Sequence, residues 1–192
     1  MDVVAMGEEW KKFKDKIIFL QSDLAQFEVE FLDRHRFKDF VDYVSRDIQG
    51  YPEVCITGYF SEIIRDSFEN MMKLGQNVRL ICQEFPPKLS KRDRKNLEVL
   101  KKLVNAGAKI KINHRTHARF FIAYNPKLAE LRGLLVIGSF DFNSECYGKE
   151  RYDAGIKTRH PDLVKSAVEL FDQIWNEPES TSLEDFMKNR MM

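Results

Sequence analysis

Cysteine is scarce in this chain of 192 residues: Cys55, Cys82 and Cys146 are far apart and odd in number. They point to neither a disulfide framework nor a zinc site, and they fit a reducing interior, so a cytoplasmic location is expected. Long apolar runs are missing as well. Nothing approaches the roughly 20 residues that cross a bilayer, and the opening MDVVAMGEEW lacks a basic region followed by an apolar one. Neither a membrane partner nor a signal peptide is therefore expected. Internal repeats and low-complexity tracts are absent too, which sets aside solenoids and disordered linkers. Net charge is almost absent, at +1.

That small total hides a separation of charge. From Lys88 to Arg119 there are eleven Lys or Arg against Asp93 and Glu98, so this window carries about +9 and the remainder about −8. An anionic ligand is expected to meet the basic window, with nucleic acid among the candidates. A hydrophobic content of 43%, with fifteen Phe and seven Met, supplies a sizeable core. The length favours one domain with an appendage.

Residues 8–32 carry Trp10, Phe13, Ile17, Leu20, Leu24, Phe27 and Phe31 in a 3-4 alternation, which predicts a helix. The aromatic content suits a coiled-coil seam poorly, leaving either packing on its own domain or a dimer or partner contact. Phe37, Phe40, Val41, Val44 and Ile48 predict a second helix. We expect residues 1–50 to form an N-terminal helical segment, 51–178 an α/β domain and 179–192 a tail. Within the domain the order is regular: a strand at 53–60, a helix capped by Ser61 and ending at Gly75, and a strand at 77–85. Ser90 with Asp93 makes a capping-box pattern for the basic helix that follows. Strands are expected at 109–112, 117–124, 133–140 and 154–158. A helix from Pro161 through Leu163, Ala167, Leu170, Phe171, Ile174 and Trp175 follows, then a loosely docked turn at 183–187. Strands alternating with helices argue an α/β sandwich, mostly parallel early and antiparallel around residues 109–142.

That last stretch carries the chemistry. In KIKINHRTHARFFIAY the apolar side chains Ala118, Phe120, Ile122 and Tyr124 alternate, which puts His117 and Arg119 side by side on the other face, with Phe121 continuing their row. The run Leu134 to Ile137 ends in Gly138-Ser139. An imidazole, a guanidinium and a hydroxyl meeting at neighbouring strand ends would make a phosphate site. His114 and Arg115 are either turn residues or further phosphate contacts. Lys101 and Lys102 belong to the basic helix, which is either a solvated face or a polyanion contact. His35 and His160 read as structural, and the cysteines as packing residues.

THARFFIAY followed by GSFDFN and RYDAGIKT resembles the phospholipase D superfamily, whose signature is H-x-K-x4-D, then G-S-x-N, then an acidic residue just before a strand. The resemblance covers about residues 53–176. It implies a mixed sheet with helices on both faces, and a metal-independent reaction without a cofactor. In it one histidine attacks phosphorus and a second, facing it across a twofold axis, protonates the leaving oxygen. One motif per chain implies a homodimer. His117 matches the nucleophile and Ser139 the phosphate-binding serine. Four departures accompany the match: Arg119 stands at the lysine, Tyr124 at the aspartate, and Asp141 at the asparagine, with Asn143 a candidate substitute. Asp153 stands near the acidic residue that orients the histidine. The expectation is a phosphodiesterase acting on nucleic acid. The alternative is a catalytically degenerate module of the same fold that binds nucleic acid or a phosphorylated ligand.

Overall fold

Short runs of β-branched and aromatic residues set the strands of this chain, and 3-4 spaced apolar residues set the helices between them. The computed structural model describes residues 29–60, 65–128, 132–142 and 153–191. In order these form β1 (Glu30–Leu32), α1 (Arg34–Asp47), β2 (Glu53–Gly58), α2 (Arg65–Lys73) and β3 (Asn77–Gln83). Then come α3 (Lys91–Asn105), β4 (Lys109–Asn113), β5 (Phe120–Tyr124), β6 (Gly133–Gly138) and β7 (Gly155–Thr158). The chain ends with α4 (Pro161–Asn176), β8 (Thr181–Ser182) and α5 (Leu183–Met191).

Among the described residues these strands make one eight-stranded sheet in the order β1-β7-β6-β5-β2-β3-β4-β8. β2, β3 and β4 run parallel, and the remaining pairs are antiparallel. Because side chains alternate across a strand, the sheet has two apolar faces. One packs Val54, Ile56, Phe121, Leu134 and Val136 against side chains of α1, α2, α3 and α5. The other packs Cys55, Ile81, Phe120, Ile122 and Leu135 against Val164, Ala167, Val168 and Phe171 of α4. This is the expected α/β sheet with helices on both faces.

Local chemistry fixes the helix ends. The Asp33 carboxylate accepts from the N–H groups of His35 and Arg36, each at 2.9 Å, and starts α1. At α3 the Ser90 hydroxyl accepts from Asp93 N while the Asp93 carboxylate accepts from Ser90 N, a reciprocal capping box. Tyr124 lies at the end of β5 remote from His117, and its hydroxyl accepts from Arg79 Nη2 at 3.1 Å. Arg79 also bonds Asp172 of α4 at 2.7 Å and lies over the rings of Phe171 and Trp175. Burial raises Tyr124 to about 12, so it stays a neutral phenol in this rivet between sheet and α4.

Four expectations are corrected. The helix predicted over 8–32 does not extend to its end: residues 30–32 form β1, pairing with β7 so that Phe31 sits opposite Ile156. The rest of that helix, and the Ser61 cap, lie outside the described residues. The strand predicted from 117 begins only at Phe120, because 117–119 leave the ladder where β2 ends. On α4 the buried face is Val164, Ala167, Val168 and Phe171, whereas Leu163 and Leu170 are exposed. The predicted loose turn at 183–187 is a nine-residue helix. Leu183 and Phe186 (2% and 8% exposed) anchor it, and β8 pairs with β4 just before it.

Candidate active site at the carboxyl edge of the parallel strands

Parallel β2, β3 and β4 all end at one edge of the sheet, at Gly58, Gln83 and Asn113. β5 and β7 start at that edge and β6 ends there, since each is antiparallel to its neighbour. The crevice outside the carboxyl ends of parallel strands is where open α/β sheets bind ligands. To pass from β4 to β5, residues 114–119 must cross the ends of β3 and β2, about three strand spacings or ~14 Å. His117 and Arg119 are therefore laid along the edge itself.

That crossing is pinned from below. Thr57 Oγ donates to Ala118 O at 3.0 Å and accepts from Phe120 N at 3.2 Å. Arg119 O accepts from Gly138 N at 3.1 Å, which ties the crossing to the end of β6. Gly58 has φ +150, a region that favours glycine, and a Cβ there would lie 3.5 Å from Arg119 Cδ. His117 is exposed, and its Nε2 lies 3.5 Å from Nε2 of Gln83. Gln83 Oε1 in turn accepts from Arg119 Nη2 at 3.5 Å. Gln83 thus touches both signature side chains. The sequence reading missed it, because only the crossing brings residue 83 beneath residue 117.

The guanidinium of Arg119 is turned inward. Nη1 donates to the carbonyl oxygens of His117 and Ala118 at 3.0 and 3.3 Å, and Nε pairs with Asp141. Asp141 is fixed by its neighbours: Phe140 and Phe142 are 2% and 3% exposed and belong to the core, so the residue between them faces the other way. Phe140 stacks on Phe37 of α1 with centroids 4.1 Å apart, and Phe142 stacks on Phe60 at 5.8 Å. Ser139 is exposed at the end of β6. Its hydroxyl donates to Asp153 at 2.7 Å and accepts from Ala154 N at 3.2 Å. At Gly138 a Cβ would meet Ala154 O at 2.5 Å, so the close approach of β6 to the residues entering β7 requires glycine.

The expected site residues therefore divide by position. His117, Arg119, Ser139, Asp141 and Asp153 share this edge. His114 and Arg115 belong to the same crossing; Arg115 N donates to Asn113 Oδ1 and its guanidinium lies 3.6 Å from Glu179. Beside them a pocket of about 240 Å³ opens between Arg115–Ala118 and Leu170, Ile174 and Glu177. Lys101 and Lys102 are not brought to the edge. They lie in the last turns of α3, which leads back to the start of β4, and Lys101 bonds Glu98 at 2.7 Å. Asn143 lies outside the described residues. Among the described residues no cluster of three or more His, Cys, Asp or Glu is arranged to hold a metal, and no helix is long and apolar enough to cross a membrane.

The family described as "Cardiolipin synthase, PLD-like domain" matches residues 53–175 of this chain. The chain belongs to the phospholipase D-like domain family. No curated protein matches it. Among solved structures, the phospholipase D family member Nuc from Salmonella typhimurium aligns with a TM-score of 0.61 and 15% identity, over 81% of this chain and 96% of that one. NucT from Helicobacter pylori gives 0.61 and 14% identity, over 81% and 99%. TrmBL2, an archaeal chromatin protein whose structure shows a novel mode of DNA binding, gives 0.50 and 13% identity, over 91% of this chain and 63% of its own. Identities this low speak for the phospholipase D-like fold alone.

Proposed function

We propose that this phospholipase D-like chain is a phosphodiesterase acting on nucleic acid through a phosphohistidine at His117, in a site completed by a second copy of the chain. The observation that carries the reading is the exposed His117 imidazole at the carboxyl edge, with Arg119 and Ser139 on adjacent strand ends. An imidazole nitrogen attacks phosphorus, and the leaving alkoxide takes a proton from the second copy's imidazolium. Water then attacks the phosphohistidine, giving its proton to that second imidazole and freeing the first. Arg119 and the Ser139 hydroxyl stabilise the charge on the phosphoryl oxygens. Nuc and NucT, which share the fold and nearly the full length, support the phosphodiesterase class.

A second reading rests on its own observation. Arg119 is paired with Asp141, and the Ser139 hydroxyl is donated to Asp153. With both phosphate ligands spent on carboxylates in the same chain, the fold would bind a phosphodiester without turning it over. The DNA-binding relative TrmBL2 is consistent with such a module. One assay separates the two: hydrolysis of a bis-aryl phosphodiester and of a labelled oligonucleotide in EDTA. The phosphodiesterase reading expects cleavage that His117→Ala abolishes. Oligonucleotide binding without cleavage at any pH supports the binding module, and metal-dependent cleavage that survives His117→Ala rejects the mechanism.

A further inference from the structure

The basic window of the sequence is divided by the fold. α3 starts just after β3 ends, so its first turns stand at the carboxyl edge and its last turns at the opposite edge. Lys88, Lys91, Arg92 and Lys95, all exposed, are thereby gathered on the His117 side. Among the described residues, the acidic groups nearest in sequence have partners. Asp93 is 8% exposed and bonded to Ser90 and Tyr59, Glu84 pairs with Arg190, and Glu98 pairs with Lys101. Arg92 lies over the ring of Tyr59, its Cζ 5.2 Å from the centroid, and Tyr59 directly follows Gly58, the residue against which Arg119 packs. A cationic surface thus runs from the start of α3 over Tyr59 towards the candidate site.

This placement opposes helix stability. The N-terminus of a helix carries partial positive charge, so lysine and arginine in the first turns are unfavourable there. Asp93 is the acidic residue of that turn. The positive charge of these first turns is thus exposed on the side of the candidate site.

We infer that Lys88, Lys91, Arg92 and Lys95 form the surface that receives the sugar-phosphate backbone of a nucleic acid and leads it to His117. The inference rests on the phosphodiesterase reading and adds where the polymer runs. A lipid surface is the poorer occupant: an interfacial helix needs an apolar face beside its cations. Among the described residues the exposed large apolar side chains are Val29, Phe31, Tyr43, Leu74, Leu128, Ile137, Leu163 and Leu170, none of them on α3 or the loop before it.

The test is the binding of a fluorescent oligonucleotide across a salt series by wild type, Lys91→Glu/Lys95→Glu and Lys101→Glu/Lys102→Glu. The two double variants change the charge equally at opposite ends of one helix. The first is expected to weaken binding at least tenfold and flatten the salt dependence by about two phosphate contacts. The second is expected to change affinity less than twofold. A thermal melt of each variant beside wild type separates lost binding from lost folding: weakened binding by a variant that melts with wild type is lost binding. Equal weakening by both variants overturns the inference and leaves the nucleic-acid reading standing. Absence of oligonucleotide binding by wild type overturns both, as does binding only to vesicles containing phosphatidylserine.

Discussion

Asp141 holds the Arg119 guanidinium at the edge where the proposed reaction would place a phosphodiester. The two buried phenylalanines flanking it leave its carboxylate no route into the core, and it pairs with the guanidinium. A carboxylate about 5 Å from a phosphodiester, at an effective dielectric of about 20, is opposed by about 3 kcal/mol when nothing neutralises it. Asp141→Asn should therefore tighten phosphodiester binding by about tenfold or more, read by calorimetry with a non-hydrolysable diester. Unchanged or weaker affinity would show that the pair is not what limits the ligand. Gln83→Ala removes the amide shared by His117 and Arg119. It should move the His117 ring resonances in NMR at fixed pH and lower turnover, while the global melt moves little. The spacing of His117, Arg119 and Ser139 was legible in the sequence because it lies along local strand ends. Gln83 was not, because its contact depends on where residues 114–119 cross.

The elements show a similar division. The α3 cap was readable from Ser90 and Asp93, since a capping box is a pattern of neighbours. Ser90→Ala should cost about 1 kcal/mol in a urea titration. Burial alone would raise the Asp93 carboxyl. Hydrogen bonds from the Ser90 hydroxyl and N–H and from the Tyr59 hydroxyl outweigh it and hold the carboxyl below its ordinary value. A depressed carboxyl contributes stability above its unfolded value, near about 3.9, and loses it as pH falls through the folded value. The stability gap between wild type and Asp93→Asn should thus be constant above about pH 5 and shrink below about pH 4. A gap that grows on acidification would contradict this. α5 was read too weakly, as a turn, because its anchors Leu183 and Phe186 are only two residues and their burial depends on the distant helix α3 and on Phe85. Phe186→Ala should cost about 3 kcal/mol, near the low end for a buried aromatic.

At the scale of the molecule, the α/β sheet, parallel early and antiparallel near the site, followed from the order of strands and helices. The end of the predicted N-terminal helix did not follow: Phe31 fits a helical spacing, yet pairing with β7 takes residues 30–32 into the sheet. Local periodicity does not register a strand offered by residues 125 positions away. If the site needs two copies, adding excess His117→Ala chain to a fixed amount of wild type should suppress cleavage as mixed dimers form, and undiminished activity would mean that one chain suffices. The central claim is a covalent one, and trapping tests it most directly. Wild type quenched during turnover of a bis-aryl phosphodiester should carry an acid-labile phosphoryl adduct on His117 by mass spectrometry. Turnover with no adduct on His117, or with an equal adduct in His117→Ala, would contradict it.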